Sequence, residues 1–253
     1  MLFAITCALI ALSQYVAAEG ELCPASLDLD LQLTEEQRRI FLNGHNDLRR
    51  RIAHGTQANK NGLPSLGPAK NMYALVGDAQ MIKKKAETKL RRNADDIQEE
   101  KDRIQRQWDC FNEALAQESM AECSLENPVD VSRNMIQMSD SAALSDDIYM
   151  YLAIDQWISQ VTYFGKKNPT NVYDGTLCQF TNMVHANTTT VGCAFKRCNG
   201  NVLVTCLYDK CGTKEKLMWE MGQPCQRDGD CTTFDDSKCN EGLCELEEDP
   251  YSD

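Results

Sequence analysis

Twelve cysteines beyond the first eighteen residues constrain this chain more than any other feature. A thirteenth, Cys7, lies in an apolar N-terminal stretch that is shorter than a membrane-spanning helix. This stretch ends at the small residues Ala17 and Ala18, a pattern that indicates a cleaved signal peptide (1–18) rather than a buried helix. An even cysteine count in a secreted chain indicates a disulfide framework. Its members are Cys23, Cys110, Cys123, Cys178, Cys193, Cys198, Cys206, Cys211, Cys225, Cys231, Cys239 and Cys244.

Zinc binding is the alternative use for so many cysteines. Zinc sites space their cysteines about two to four residues apart, with histidines or further cysteines behind them. None of the three histidines stands in such spacing. Three neighbouring cysteine pairs are wider, namely Cys193/Cys198, Cys206/Cys211 and Cys225/Cys231. We therefore predict disulfides, whose connectivity the sequence leaves open.

The charge of the chain limits its partners. The formal net charge is -12, and residues 226–253 hold ten acidic but only two basic side chains. Nucleic acid is excluded as a partner and anionic membrane surfaces are disfavoured, because both bind Lys and Arg. No later stretch is apolar enough to span a bilayer. The acidic tail is typical of a solubilising segment.

The hydrophobic pattern predicts an α+β fold. Thr34 and Gln37 form a capping-box pattern before a helix whose apolar residues recur at three- and four-residue steps up to Ala53. Further helices are predicted at 108–122 and 146–163, a short helix or turn at 180–184, and strands at 191–195 and 202–208. Helices followed by short strands are typical of α+β proteins. The four cysteines from Cys225 to Cys244 predict a small loop-rich disulfide unit.

Residues 78–107 form an unusually charged segment. Sixteen of these thirty residues are charged, and none is Gly or Pro. Charge pairs at helical spacing and a thin apolar stripe predict a long, mostly solvated helix. A partner surface of the coiled-coil type is the alternative.

Several segments together resemble the CAP superfamily, which includes cysteine-rich secretory proteins, antigen 5 and pathogenesis-related-1 proteins. The main signature is 179–194, Gln-Phe-Thr-Asn-Met-Val-His followed by a Gly-Cys-Ala strand. The other matching segments are Gly44–Arg49, Asn71-Met72, Trp108–Cys110, Trp157 with Tyr163–Gly165, and Cys206–Tyr208. The segment from Met218 to Cys225 resembles nematode activation-associated secreted proteins, also called venom allergen-like proteins.

The resemblance implies an α-β-α sandwich (residues 19–210) followed by a cysteine-rich extension with an acidic tail (211–253). Family members have far fewer residues between the segments that correspond to Met72 and Trp108. The charged segment 78–107 is therefore predicted to be an insertion. Three explanations stay open: a helical excursion, an interaction arm, or an error in the coding sequence.

The resemblance also implies a central cavity in which two His and two Glu hold a divalent metal. Here Gln179 replaces one His, while Arg133 and Gln160 replace the two Glu. The other His would follow Cys123 closely, where the chain has none. Because a guanidinium repels a cation, we predict no metal and no cofactor. The predicted cleft-lining residues are Gln179, Gln160, Arg133 and His185, which occupies the family's Trp position.

No catalytic constellation is recognisable. His45 lies on the apolar face of its helix, which predicts a packed rather than a catalytic side chain. Cys/His chemistry is not expected, because all twelve cysteines are predicted to be bridged. Asn187-Thr188-Thr189 is an N-glycosylation acceptor, whereas proline blocks Asn168-Pro169-Thr170.

The first functional hypothesis is a secreted, non-enzymatic CAP-domain protein that binds a host protein and modulates host cells. A sterol or fatty-acid carrier, with a lipid as partner, is the alternative, and a metal-dependent hydrolase ranks last. A homodimer is a further option.

Overall fold

The computed structural model describes residues 22–23, 29–75, 108–123 and 132–246. The predicted signal peptide and the charged segment 78–107 lie outside these ranges. The described helices are α1 (Glu35–Ala53), α2 (Cys110–Glu118), α3 (Asp146–Phe164) and α4 (Cys178–Val184). None of them is long and apolar enough to cross a membrane.

A three-stranded antiparallel sheet lies at the centre of the fold. Its strands are β2 (Arg133–Ser139), β3 (Val191–Cys198) and β4 (Asn201–Tyr208), in the order β2-β4-β3. Two smaller antiparallel pairs lie outside it: β1 (Ala69–Lys70) with β5 (Glu220–Met221), and β6 (Lys238–Asn240) with β7 (Leu243–Glu245).

The start of α1 follows from its capping box. The Gln37 backbone N–H donates to Thr34 Oγ1 at 3.2 Å, and the Thr34 N–H donates to Gln37 Oε1 at 3.0 Å. These bonds satisfy two backbone donors that a helix start leaves without partners. The predicted capping box is thereby confirmed. Phe41, Leu48 and Ile52 lie on the buried face of α1, as the three- and four-residue spacing predicted.

Side chains along β4 point alternately to the two faces of the sheet, and helices cover both faces, which gives three layers. Val202, Val204 and Cys206 belong to the large core that also includes residues of α1, α3 and α4. Leu203 and Leu207 face the other way and pack in a second cluster with Ala116 of α2 and Met120 just after it. Successive side chains of a strand point to opposite faces, so one strand serves both layers. The predicted α-β-α sandwich is confirmed.

Gly192 on β3 allows α2 to approach the sheet closely. A Cβ at this position would lie 2.3 Å from the backbone nitrogen of Glu113. Any side chain here would therefore force α2 away from the sheet.

Ten of the twelve predicted disulfide cysteines form five bridges. They are Cys23–Cys110, Cys123–Cys198, Cys193–Cys206, Cys225–Cys239 and Cys231–Cys244. Cys178 and Cys211 are exposed and unbridged, which departs from the prediction that all twelve pair. Instead of bonding another sulfur, Cys178 contacts the side chain of Tyr173, and its Sγ lies 4.0 Å from Asn182 Nδ2.

The C-terminal cysteine module, residues 225–246, is built around two of these disulfides and the β6–β7 hairpin. Its small core is completed by Tyr73, a residue from the distant loop after β1. The Cys244 N–H donates to Met72 O, and the Ala74 N–H donates to Cys244 O, both at 2.8 Å. The module therefore pairs with the first part of the chain through backbone hydrogen bonds.

Candidate functional site

Two of the predicted cleft residues meet between α3 and α4. Gln160 Nε2 donates to Gln179 Oε1 at 2.5 Å. Gln179 Nε2 in turn donates to the backbone oxygen of Met135 at 2.8 Å. Gln179 is thus held on both sides of its amide and fixes the start of α4 against β2.

Arg133 joins this network through its backbone. Asn182 Nδ2 lies 3.4 Å from Arg133 O and 3.0 Å from Asn134 Oδ1. The side-chain atom Arg133 Nη1 is buried without a hydrogen-bond partner, as is Gln160 Oε1. Burial lowers the pKa of the Arg133 guanidinium, but the group stays cationic.

A series of hydrogen bonds connects Gln179 to α1. Asn134 Nδ2 donates to both Gln179 O and Tyr208 Oη at 2.9 Å. His45 Nδ1 lies 2.7 Å from Phe41 O, which only a ring N–H can satisfy. His45 Nε2 is therefore the acceptor for the Tyr208 hydroxyl at 2.9 Å. These two hydrogen bonds fix one tautomer of the neutral His45 imidazole.

The ionisable side chains in this series of hydrogen bonds, His45 and Tyr208, are shielded from solvent. Burial lowers the pKa of His45 to about 4 and raises that of Tyr208 well above its usual range. Both groups are neutral at physiological pH and have their hydrogen bonds satisfied. The prediction that His45 is packed is confirmed, because its side chain is fully buried.

Arg49 lies deeper and holds the loop that follows α4. Its guanidinium is fully buried, and burial lowers its pKa to about 9. It donates to five backbone oxygens at 2.5–3.1 Å: those of Tyr73, Met183, His185, Ala186 and Thr188. A cation used in this way anchors backbone and is not free to bind a ligand.

His185, the remaining predicted cleft residue, makes its contacts in the loop that follows α4. Its Nδ1 is 3.1 Å from Thr188 Oγ1, and its backbone oxygen is one of the five that Arg49 binds. Burial, followed by the nearby charge of Arg49, lowers the pKa of His185 to about 4. The structure therefore brings Gln160 and Gln179 into contact but places His185 in the loop between α4 and β3. Asn187 in the same loop is exposed, and its glycosylation stays a prediction.

The donor set of Gln160, Gln179 and Arg133 does not suit a divalent metal. The Gln179 Oε1 atom is already an acceptor for the Gln160 amide, and its Nε2 is a donor. Arg133 contributes a cation, which leaves Gln160 Oε1 as the unpaired oxygen of this group. Zinc and similar ions are held by imidazole nitrogens, carboxylates or thiolates, and none of these three residues supplies one. The fourth position, shortly after Cys123, lies outside the described residues.

One other group of potential ligands occurs within the described part of the chain. The sulfurs of Cys225, Cys231 and Cys244 lie within 4.8 Å of one another. All three are disulfide-bonded, so they are not available as thiolate ligands.

The free thiol of Cys178 reopens the question of Cys/His chemistry, which the sequence had set aside. Its contacts within the described residues are with Tyr173 and Asn182, and neither can act as a general base at neutral pH. His45 is hydrogen-bonded to Phe41 and Tyr208, His54 to Glu241, and His185 to Thr188. Among the described hydrogen bonds of Cys178, none is with a base that would activate the thiol.

An α-β-α sandwich with this signature helix and a disulfide-stabilised extension defines a class of cysteine-rich secreted domains. Residues 42–208 match the model of the Cysteine-rich secretory protein (CAP) family, and the chain belongs to that family.

Relatives place the chain near nematode members of the family. It is 32% identical over 219 residues to "Ancylostoma secreted protein" of Ancylostoma caninum, covering 84% of this chain and 43% of that protein. The structure of Na-ASP-1 is similar at 29% identity and a TM-score of 0.66, over 86% of this chain and 47% of that one. The fold is shared with BmVAL-1 at 24% identity and a TM-score of 0.67, over 87% and 98% of the two chains. The chain thus spans less than half the length of the first two proteins.

Three residues central to the site were not singled out from the sequence. Tyr208 and Arg49 each lie inside a segment that carried the family resemblance, whereas Asn134 follows Arg133 directly and lies outside those segments. The signal was therefore present for two of the three, but the roles of these side chains depend on contacts between residues 24–163 positions apart.

Proposed function

We propose that this protein is secreted, has no enzymatic activity and acts by binding a host protein. The observation that carries the proposal is the hydrogen bond between the Gln160 and Gln179 amides, at positions where the family resemblance implies ionisable metal ligands. Neutral amides neither activate water nor hold a catalytic metal. Selection for catalysis would favour ionisable groups poised near neutral pH, whereas His45 and His185 both titrate near 4.

Secretion is supported by three independent features. The N-terminal stretch has the pattern of a signal peptide, and five disulfides are typical of oxidising compartments. The Ancylostoma caninum relative is itself named a secreted protein.

The exposed face of α3 supports a role in protein recognition. Ile148, Tyr151 and Leu152 lie at helical spacing and are 41%, 58% and 44% exposed. Asp155 continues the same face and is also exposed. Apolar and aromatic side chains in such a group are typical of interfaces. Because the chain carries a net charge of -12, the partner we propose is a host protein that offers an apolar surface with basic residues around it.

A matched pair of variants tests this surface. We expect glycosylated protein from a secretory host to bind a basic extracellular host protein saturably, in a panel that also contains acidic ones. Tyr151→Ala/Leu152→Ala should weaken that binding at least about tenfold. Phe111→Ala/Leu115→Ala removes equally exposed side chains from α2 (63% and 53%) and should not change it. Equal loss in both variants, or no binding by the wild type, would contradict the proposal.

The same preparation distinguishes the alternatives. Specific hydrolysis that Gln179→Ala abolishes would replace the proposal with an enzymatic function. Saturable binding of radiolabelled sterol or fatty acid, without protein binding, would replace it with a carrier function. Stoichiometric zinc in a chelator-free preparation would contradict the predicted loss of the metal site.

A further inference from the structure

The loop after β4 packs directly on the first turn of α4. A Cβ on Gly212 would lie 2.3 Å from Thr181 Cγ2 and 3.3 Å from Tyr173 Cδ1. Thr181 is three residues after Cys178, and helical residues at that spacing lie side by side. Cys211 immediately precedes Gly212, and neighbouring Cα atoms are about 3.8 Å apart. The fold therefore places Cys211 and Cys178 on segments that are in contact.

Tyr173 interacts with both thiols. Its side chain is hydrogen-bonded to that of Cys178, and Cys211 is close enough to interact electrostatically with the same phenol. The backbone around it is held in place: the Tyr173 N–H donates to Lys216 O at 2.9 Å, and the Glu215 N–H donates to Tyr173 O at 2.7 Å. The segments that carry the two cysteines are thus fixed side by side, independently of any bond between the sulfurs.

We propose that Cys178 and Cys211 form a sixth intramolecular disulfide in the mature, oxidised protein. The other ten cysteines are already paired, so these two are each other's partners among the described residues. Both are exposed and open to an oxidant. Each thiol gives up one proton, the two sulfurs bond, and two electrons reduce the disulfide of a protein oxidoreductase to a dithiol.

The bridge would act on the cleft. Cys178 is the first residue of α4, and Gln179 follows it directly. A covalent bond to Cys211 ties this end of α4 to the loop that leaves β4. The position of Gln179 would then be fixed by a covalent bond as well as by its hydrogen bonds to Met135 and Gln160.

Mass spectrometry on the wild-type protein tests the proposal. Protein from a secretory host is denatured without reductant, treated with an alkylating agent and digested. We expect no alkylated cysteine and a linked peptide that contains Cys178 and Cys211. The Cys193–Cys206 bridge should appear in the same digest and serves as the internal control. Stoichiometric alkylation of both cysteines, or covalent dimers linked through them, would overturn the proposal.

Two variants confirm the assignment without depending on the linked peptide. Cys178→Ser should release one alkylatable thiol, at Cys211, whereas Cys178→Ser/Cys211→Ser should release none. If Cys178→Ser instead left no free thiol, Cys211 would have another partner and the proposed pairing would be wrong.

Discussion

Cys193–Cys206 in the central sheet and Cys231–Cys244 in the C-terminal cysteine module each join residues 13 apart in sequence, but in different surroundings. The first lies in the large core that packs α1, α3 and α4 on the sheet. The second is part of a cluster whose buried members are Tyr73 and three cysteines. The same cross-link is therefore one contribution among many in the CAP domain and a main source of order in the module.

The comparison teaches where each region obtains its stability. The CAP domain buries many apolar side chains and satisfies buried polar groups through Arg49 and His45. The module is too small for such a core, so it depends on covalent bonds and on the loop that carries Tyr73. Four predictions test this difference, in order of expected size.

The largest effect is expected from Arg49→Met. The variant removes the Arg49 donor from five backbone oxygens, four of them in buried hydrogen bonds, which should lower the free energy of unfolding by at least about 4 kcal/mol or prevent folding. Urea denaturation and secreted yield measure this. Arg50→Met on the same helix removes half-exposed ion pairs with Asp47 and Glu241 and should cost less than about 1 kcal/mol. Equal losses in both variants would show that Arg49 does not anchor the CAP domain.

The second prediction compares the two bridges directly. Cys193→Ala/Cys206→Ala and Cys231→Ala/Cys244→Ala open loops of equal length, each worth about 3 kcal/mol in chain entropy. Hydrogen exchange should show β3 and β4 still protected in the first variant. In the second, residues 226–246 should lose protection while α1 keeps it. Retained protection in the module would mean that its core, and not its cross-link, maintains order.

The third prediction concerns pH. The pKa of His45 is about 4 when folded and about 6.5 when unfolded, so the unfolded state takes up more protons between these values. The contribution of His45 to stability is therefore complete above pH 6.5 and is lost as the pH falls toward 4. This loss should be roughly 2–3 kcal/mol between pH 7.5 and 4.5. His45→Asn should reduce the pH dependence by that amount, as urea midpoints at the two pH values would show. An unchanged slope would contradict a neutral, buried His45.

The smallest effect is expected from Tyr73→Phe. The Tyr73 hydroxyl lies 2.9 Å from Ser237 Oγ and accepts the Phe234 N–H at 3.1 Å, so its loss should cost about 1 kcal/mol. Faster exchange should be confined to residues 234–239. Tyr149→Phe removes another buried hydroxyl, one bonded to Ser139 O within the CAP domain, and should leave exchange in the module unchanged. The reverse pattern would mean that the module does not depend on Tyr73.

Local signals predicted most of the helices and two of the three central strands. The capping box at Thr34 and the apolar spacing of α1 act within a few residues, so they survive in the sequence. Strand β2 was not predicted, because its side chains are mostly half-buried or exposed and show little apolar alternation. Its strand conformation comes from pairing with β4, such as Arg133 with Leu207. Such pairing between distant residues leaves no local signal.

Predictions about the site depended more on resemblance than on pattern. The replacement of ionisable groups by Gln160 and Gln179 could be inferred from the signature segments, and the two side chains are in contact. The cleft-lining role of these residues and of Arg133 stays a prediction. The contacts of His185 could not be foreseen, because they depend on the Arg49 bonds that shape the loop after α4.

The hydrogen bonds between Cys244 and the loop at Met72 and Ala74 have a consequence for biosynthesis. A chain is synthesised from its N-terminus, so this loop is made 170 or more residues before the segment with which it pairs. Until Cys244 emerges, Tyr73 and its neighbours present an apolar edge to the folding machinery. A message that ends early would yield chains that keep this edge exposed, and chaperones that bind apolar surface would recognise them by it.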